Sequence, residues 1–534
     1  MIILAGGGQR APDAGTVGRL VAMELTTLSL NVPETYRPLT VSSGVRTSAL
    51  KYPDRVALRH GKAERTYREL VARIDALAAA ANGTLGLEPG QHVGVFAPNC
   101  IEFIETVLAL SDAGSPVVTL SGRLNRAELT EICNDACVKV LFVHRDCAHV
   151  AQGAAFATVE RLVVFGPEYE ALLNNGPGQP YRPVAGEWDI FSIPFTSGTT
   201  GRPKGVLLPH RARALLFYAM AVEYGCFGPE DSFLALAPLA HGAGLAFAVA
   251  PIFFGGTCEL LAAFDAAQVV QRLRDGRFTG VFMVPTHLHA IFSLPAEFLA
   301  EHRDIALKSL ICNAAPLPQK VKERIVEQWG PHLLHETYGS TEVGIACNIR
   351  PADQLRKQSC VGLAFPNCAV ELRDPDGREV AANEIGELYT NSPFLFSGYW
   401  QQGRATLPPL QRGWFSAGDL ARKDGEGFIH IVDRKSDMVI SGGINIYPRQ
   451  IEEVLYRHPQ VAEAAVVGVA DEKWGERLRA YIVPRGAGRP DSESITAFCW
   501  ADLSGYKVPR DIVFVDELPK NATGKILKRR LRET

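Results

Sequence analysis

The chain lacks a segment that could span a membrane and lacks an excess of charge of either sign. No run approaches the roughly 18 apolar residues that cross a bilayer, and the opening MIILAGGGQRAPDAG has neither the charged lead nor the apolar core of a secretory signal. The formal net charge is −3 over 534 residues, which gives no electrostatic case for binding nucleic acid or an anionic membrane. These absences predict a cytoplasmic protein without an integral membrane segment, whose partners are small molecules.

The sequence also lacks the pattern of a disulfide framework or of a zinc site. Its eleven cysteines are an odd number scattered along the chain, which is typical of reduced thiols. Cys133, Cys137, Cys147 and His149 lie close in sequence, but their spacing fits none of the usual zinc motifs. We therefore expect buried free thiols here.

Length and composition indicate a globular protein with more than one domain. Apolar residues make up 47% of the chain and charged residues 21%, and 534 residues exceed what one hydrophobic core usually supports. Residues 1–22 are interpreted as a flexible extension, and Met1 and Met23 both remain possible starts. The charged DRKSD followed by a Gly pair predicts a hinge at 433–437, between an N-terminal domain at 23–433 and a C-terminal domain at 434–534.

Bounded apolar runs alternate with amphipathic stretches over most of the chain. HVGVFAPN, VKVLFVH and GVFMVPT are typical of buried strands in largely parallel sheets. RTYRELVARIDALAAAA predicts a helix, because Thr66 and Glu69 form a capping box before it. The alternation predicts an α/β N-terminal domain with layered mixed sheets and flanking helices, and a small mobile α+β C-terminal domain.

One loop, TSGTTGRPKGVLLPH at 196–210, has the composition of a phosphate cradle. Lys204 follows a proline and precedes a glycine, so the spacing excludes a Walker A loop, in which Lys follows Gly and precedes Ser or Thr. Glycines still let backbone N–H groups approach a phosphate, hydroxyls donate hydrogen bonds and one lysine offsets the charge. The loop therefore predicts phosphate binding of a different kind.

The loop resembles the phosphate loop of the adenylate-forming superfamily, which includes acyl- and aryl-CoA synthetases, adenylation domains and beetle-type luciferases. Six further motifs follow in the family's order: APLAHGAGL (237–245), NAAPLP (313–318), YGSTE (338–342), GWFSAGDLA (413–421), DRKSDMVISGGINIYPRQIE (433–452) and PKNATGKILKR (519–529). The resemblance implies an AMP-forming acid–CoA ligase that uses ATP, Mg²⁺ and coenzyme A. A carboxylate and ATP would give an acyl-adenylate and pyrophosphate, and a thiol would then displace AMP.

The resemblance also implies a set of ATP-binding and catalytic residues. Lys525 would bring the carboxylate and the α-phosphate together, His241 would orient the substrate, Thr341 would donate to the α-phosphate and Glu342 would hold Mg²⁺. Asp419 and Arg434 would bind the ribose, and Tyr338 would face the adenine. The remaining implied ATP contacts are Thr196, Ser197, Gly198, Thr199, Thr200, Gly201, Lys204, Asn313, Ala314, Ala315, Pro316, Gly339 and Ser340.

A second implied set concerns coenzyme A and the acid. Gly442, Gly443, Trp474 and Arg510 would contact coenzyme A, and Ser436 stands where many relatives have a hinge Asp or Lys. The implied acyl pocket comprises Gly242, Ala243, Phe282, Asn313, Thr337, Gly344 and Ile345. Relatives usually place Gly or Ala at Asn313, and a buried unpaired amide costs about 1 to 3 kcal/mol, so Asn313 predicts a polar substituent on the acid.

Three alternatives stay open at this point. The acid is aromatic, hydroxylated aromatic or fatty. The acyl acceptor is coenzyme A or, alternatively, a carrier protein loaded by a stand-alone adenylating enzyme. A non-catalytic binding protein is disfavoured, because Lys204, Glu342, Asp419 and Lys525 are all present. Sequence does not decide the oligomeric state.

Overall fold

The computed structural model describes residues 36–174, 181–197, 203–276, 278–486, 488, 490–520 and 526–532. Within these ranges, none of the helices is long and apolar enough to cross a bilayer. All eleven cysteines are free thiols.

Two large mixed sheets form the N-terminal part. One contains nine strands in the described ranges, in the order Leu363–Ala364, Gly344–Ile349, Leu334–Ser340, Ser309–Cys312, Gly280–Met283, Ser232–Ala235, Thr257–Leu260, Val56–His60 and Ala63–Thr66. The other contains eight described strands, in the order Arg404–Thr406, Gly398–Gln401, Pro203–Pro209, Ile190–Ser197, Val117–Ser121, Val93–Ala97, Val140–Val143 and Arg161–Val164. Inner strands such as Gly280–Met283 with Ser309–Cys312, and Val93–Ala97 with Val117–Ser121, pair in parallel and are largely buried, as continuous apolar runs require.

Helices flank these sheets, and the largest apolar core joins them. The α-helices are Val41–Lys51, Tyr67–Asn82, Ile101–Asp112, Arg126–Asp135, Ala148–Gln152, Pro167–Asn174, His210–Tyr224, Gly242–Phe253, Ala266–Asp275, Pro285–Ile291, Ala296–Glu301 and Gln319–Trp329. Short 3₁₀ turns occur at Arg145–Cys147, Pro351–Asp353 and Gly505–Lys507. The capping box predicted at Thr66 is confirmed: its side chain accepts from the Glu69 backbone, and Glu69 accepts from the Thr66 N–H at 2.8 Å.

Two smaller sheets follow along the chain. A four-stranded antiparallel sheet comprises Ala369–Arg373, Ile385–Asn391, Asp419–Lys423 and Ile429–Arg434. A five-stranded sheet comprises Ile444–Ile446, Val439–Ser441, Gly475–Pro484, Val461–Asp471 and Asp511–Phe514. It packs with the helices Pro448–Leu455, Ser492–Asp502 and Lys528–Arg532 around its own apolar clusters. The predicted combination of layered mixed sheets and a small α+β unit is confirmed.

A buried histidine ties the first described helix to the core. His210 is fully buried; its Nδ1 accepts from the Val41 N–H at 3.2 Å, and its Nε2 faces the Ser111 carbonyl at 3.4 Å. Burial lowers the pKa of His210 to about 4, so the folded protein holds the neutral ring while the unfolded chain takes up a proton below about pH 6.5.

We therefore expect the urea midpoint of unfolding to fall as the pH drops from about 6.5 towards 4, since protonation favours the unfolded chain. Replacing His210 by Gln, which does not titrate, should reduce this slope although it lowers stability at pH 7. Equal pH slopes for the two proteins would show that His210 is not a source of acid sensitivity.

Candidate active site

An ammonium and a carboxylate meet where the two large sheets approach each other. Lys204 lies at the start of strand Pro203–Pro209, and Glu342 lies in the turn after strand Leu334–Ser340. Lys204 Nζ is 3.7 Å from Glu342 Oε1, and both side chains are largely buried. Burial lowers the pKa of Lys204, and the Glu342 charge opposes this shift. The pair places one positive and one negative group at a single point, as binding of a metal-bound polyphosphate requires.

Tyr399 completes this pair and was missed by the sequence analysis. Its strand, Gly398–Gln401, is antiparallel to Pro203–Pro209. The Tyr399 hydroxyl donates to Glu342 Oε1 at 3.0 Å, and Lys204 Nζ lies 3.7 Å from the centre of its ring. No local motif marks this tyrosine, because it reaches the site through strand pairing.

The structure describes only the edges of the phosphate loop. Thr196 is opposite Lys204 in the strand ladder, and its hydroxyl lies 3.5 Å from the Lys204 carbonyl. Gly198, Thr199, Thr200 and Gly201 lie outside the described residues, as does Lys525. Ser197 is described only by its backbone. The roles assigned to these residues stay predictions.

Three predicted nucleotide residues form a second cluster. The Tyr338 hydroxyl donates to Asp419 Oδ2 at 2.6 Å, and Arg434 Nε is 3.3 Å from Asp419 Oδ1. Asp419 and Arg434 are partners across neighbouring antiparallel strands, which explains how residues from separate motifs meet. Asp419 is buried, and each of its oxygens can accept a second hydrogen bond. The cluster can therefore still accept from a sugar hydroxyl.

The segment Asn313–Pro316 is a loop after strand Ser309–Cys312. Ala314 has a φ of +79°, and its N–H donates to Asn313 Oδ1 at 2.6 Å. The Asn313 side chain is half-buried and its carbonyl is satisfied. The amide oxygen of Asn313 is therefore satisfied within its own loop, and the polar substituent predicted from this residue stays a prediction.

A buried ion pair stabilises the end of the Asn313–Pro316 loop. The Leu317 N–H donates to Glu336 Oε1 at 3.1 Å, and Lys322 pairs with the other oxygen of Glu336. Both ionised side chains are almost fully buried, and a buried pair of this kind is costly to break from one side. The pair therefore holds the end of the loop against strand Leu334–Ser340.

His241 lies directly before helix Gly242–Phe253 and close to the YGSTE turn. Its Nε2 atom is buried without a hydrogen-bond partner among the described residues. Burial, and then the charge of Arg123, lower its pKa, so the ring is neutral near pH 7. A Cβ atom at Gly242 would lie 3.5 Å from Thr341 Cγ2, which brings the histidine turn next to Thr341. A buried, unpaired ring nitrogen beside the turn is suited to bind a ligand.

The remaining acyl-pocket candidates differ in how far they are buried. Phe282 is buried, and its ring stacks on Phe247 at 4.3 Å. Thr337 and Ile345 are buried, Gly242 and Gly344 are half-buried, and Ala243 is exposed. The Ser340 hydroxyl, like the His241 nitrogen, is buried without a partner in the described part of the chain.

The coenzyme A candidates divide into two places. Gly442 donates its N–H to the Trp474 carbonyl at 2.8 Å, and a Cβ at Gly442 would lie 2.8 Å from the Trp474 ring. Apart from Gly443 itself and its two chain neighbours, no atom of the described residues lies within 4 Å of where a Cβ at Gly443 would stand. Arg510 instead lines a cavity of 590 Å³ with Trp500 and Glu493. The structure therefore joins three of these four residues and leaves Arg510 in a separate pocket.

Family models match both parts of the chain. The AMP-binding enzyme model matches residues 45–400, and the AMP-binding enzyme C-terminal domain model matches residues 450–525. The chain belongs to the AMP-binding enzyme family. It lies in the acyl- and aryl-CoA ligase branch of the adenylate-forming superfamily, which confirms the predicted family and the predicted acid–thiol ligase reaction.

Individual relatives of this AMP-binding enzyme are similar to it over almost the whole length of the chain. A feruloyl-CoA synthase from an Amycolatopsis species is 36% identical over 486 residues, covering 90% of this chain and 96% of the relative. A 2-succinylbenzoate–CoA ligase from Bacillus cereus is 33% identical, covering 92% of this chain and 98% of the relative. The crystal structure of the anthranilate CoA ligase AuaEII with anthranoyl-AMP has a TM-score of 0.84 at 26% identity, covering 94% of this chain and 98% of that one.

Proposed function

We propose that this chain activates an aromatic carboxylic acid with ATP and transfers the acyl group to coenzyme A. The observation that carries the proposal is the convergence of Lys204, Glu342, Thr341 and His241 around one turn. The names of the relatives contain aromatic acids, namely a feruloyl group, a succinylbenzoate and anthranilate.

In the first step a carboxylate oxygen of the acid attacks the α-phosphorus, and the bond to pyrophosphate breaks. Negative charge gathers on the phosphates, so the groups that act are those that bind this charge more strongly in the transition state than in the ground state. Lys204 and the loop that begins at Thr196 hold the β- and γ-phosphates, and Thr341 donates to the α-phosphate. Lys525 approaches from the C-terminal domain to bridge the carboxylate and the α-phosphate. The neutral His241 orients the acid by hydrogen bonding.

Glu342 is the group we propose for Mg²⁺. Magnesium is usually held by one or two carboxylates together with substrate phosphates and waters, and a single half-buried carboxylate beside a phosphate-binding lysine fits that requirement. In the described ranges no cluster of three or more His, Cys, Asp or Glu could hold a metal by itself. Bound there, the ion would neutralise phosphate charge.

The nucleoside part of ATP would lie over the second cluster. Asp419 accepts from the ribose hydroxyls, Arg434 donates to the ribose, and the Asn313–Pro316 loop borders the adenine with Tyr338. Because Tyr338 and Arg434 already hold the Asp419 carboxylate, its oxygens are oriented before the ligand arrives. Such preorganisation lowers the cost of ordering on binding.

In the second step the thiol of coenzyme A attacks the acyl carbon and AMP leaves. Gly442 and Gly443 provide a path without side chains for the pantetheine arm, beside the half-exposed Trp474 ring. The predicted hinge at 433–437 would turn the C-terminal domain between the two steps. Arg510 would contact the nucleotide of coenzyme A only if that nucleotide reaches the separate cavity.

A panel of acids tests the proposed substrate class. With ATP, Mg²⁺ and coenzyme A present, we expect AMP release with substituted benzoates and cinnamates to exceed that with fatty acids by roughly 10- to 200-fold in kcat/KM. The relatives named above act on acids that contain a ring, which is the reason to expect this preference. A preference for fatty acids would contradict the aromatic assignment.

The same enzyme preparation tests whether coenzyme A or a carrier protein accepts the acyl group. We expect thioester formation with free coenzyme A, and no faster transfer to a carrier protein that bears phosphopantetheine. Faster transfer to the carrier would support the alternative of a stand-alone adenylating enzyme.

A further inference from the structure

Arg213 is a buried cation that neither the motifs nor the proposed mechanism uses. It lies in the first turns of helix His210–Tyr224, and its exposed fraction is 4%. Its Nη2 donates to the Phe394 carbonyl at 3.0 Å. Its Nε is buried and has no hydrogen-bond partner among the described residues. The guanidinium is therefore only partly satisfied by the protein.

The charge of Arg213 is also uncompensated. Its neighbour Arg211 is 3.2 Å from Glu187, whereas no carboxylate of the described residues forms an ion pair with Arg213. Burial lowers the pKa of Arg213 to about 10, and no neighbouring acid opposes this. Buried charges are usually paired, because removing them from water is costly. A buried guanidinium with an unpaired donor can still bind an acceptor from outside the chain.

The position of Arg213 relates it to the acid. Gly344, two residues after Glu342, has a φ of +71° and no side chain. A Cβ atom there would lie 3.5 Å from Arg213 Nη2 and 3.3 Å from Leu216 Cδ2. Any larger residue at 344 would therefore cover the guanidinium. Gly344 is one of the acyl-pocket residues implied by the family resemblance, so Arg213 lies next to that implied pocket.

We infer that Arg213 is a specificity-determining residue that binds an acceptor oxygen on the acid other than those of the carboxylate that is activated. The inference rests on the proposed function. A guanidinium presents several N–H donors in one plane and binds carboxylates in a bidentate manner, so a second carboxylate should bind best, then a ring hydroxyl, and a methyl group worst. A mismatched apolar group leaves the buried donors unpaired, which is the more costly outcome.

The test uses benzoates that carry a carboxylate, a hydroxyl or a methyl group at the 3- or 4-position. Wild-type enzyme should prefer the carboxylate or the hydroxyl over the methyl by at least tenfold in kcat/KM in one of the two series. In Arg213→Met that preference should be largely lost for the carboxylate and reduced for the hydroxyl. Arg213→Lys should restore part of it, because the charge remains but the planar fork does not. Arg211→Met is the matched control and should leave the ranking unchanged.

The inference is overturned if wild-type enzyme does not discriminate against the methyl acids, or if Arg213→Met lowers kcat/KM equally for all three substituents. If Arg213→Met does not fold, Arg213→Lys and Arg213→Gln are used instead. The ratio of kcat/KM between the carboxylate or hydroxyl acids and the methyl acids, measured with these two variants, then decides. Calorimetric binding of the same acids separates this inference from the proposed function. An enzyme that forms no thioester but binds the dicarboxylates through Arg213 would refute only the proposed function.

Discussion

Replacing Glu342 by Gln is expected to reduce acid-dependent ATP–pyrophosphate exchange by on the order of 10²- to 10³-fold. The amide has the shape of the carboxylate and can still accept from Tyr399, so the change removes little besides charge. Lys204 then lacks its counter-ion in a half-buried place, and Mg²⁺ lacks the only protein carboxylate proposed for it. Both losses weaken the stabilisation of the negative charge that develops on the phosphates.

Pyrophosphate exchange measured across a Mg²⁺ titration checks this expectation. The Mg²⁺ concentration for half-maximal rate should rise in Glu342→Gln. Tyr399→Phe, which removes only the donor to Glu342, should cost about tenfold. Glu379→Gln, at an exposed carboxylate near Lys423, serves as the control for charge alone and should have no effect. Exchange by Glu342→Gln within threefold of wild type would contradict the assignment.

Replacing Asp419 by Asn is expected to lower kcat/KM for ATP by about 10²-fold, since breaking one side of a buried charged contact costs several kcal/mol. Asp419 holds both Tyr338 and Arg434, so the variant also disorders the groups beside the ribose. Tyr338→Phe removes one neutral donor from that cluster and should cost only about fivefold.

The decisive readout for Asp419 is discrimination between ATP and 2′-deoxy-ATP. Wild-type enzyme should prefer ATP because the 2′-hydroxyl donates to the carboxylate, and Asp419→Asn should lose most of that preference. If the variant binds ATP more weakly yet discriminates as well as wild type, Asp419 supports the fold of the cluster and does not bind the ribose.

Local sequence predicted the elements that have local causes. The helix after Thr66 begins at the predicted capping box. The two partners of that box lie three residues apart, so a local pattern is enough to predict it. The resemblance of the motifs to the adenylate-forming superfamily identified Lys204 and Glu342, which the structure brings to 3.7 Å, and Tyr338, Asp419 and Arg434, which it joins in one cluster. The sequence does not reveal that the Asn313 amide oxygen is satisfied by its own loop.

By itself the sequence determined the α/β architecture, because apolar runs and amphipathic stretches alternate along it, and the family and reaction class, because its short motifs resemble those of the adenylate-forming superfamily. Tertiary structure alone decided that Tyr399 reaches Glu342, that Lys322 and Glu336 support the Asn313–Pro316 loop, and that Arg213 lies uncompensated behind Gly344. The Tyr399 and Arg213 contacts join residues on elements distant along the chain. Strand pairing and helix packing bring such residues together, and neither leaves a mark in the spacing of a motif.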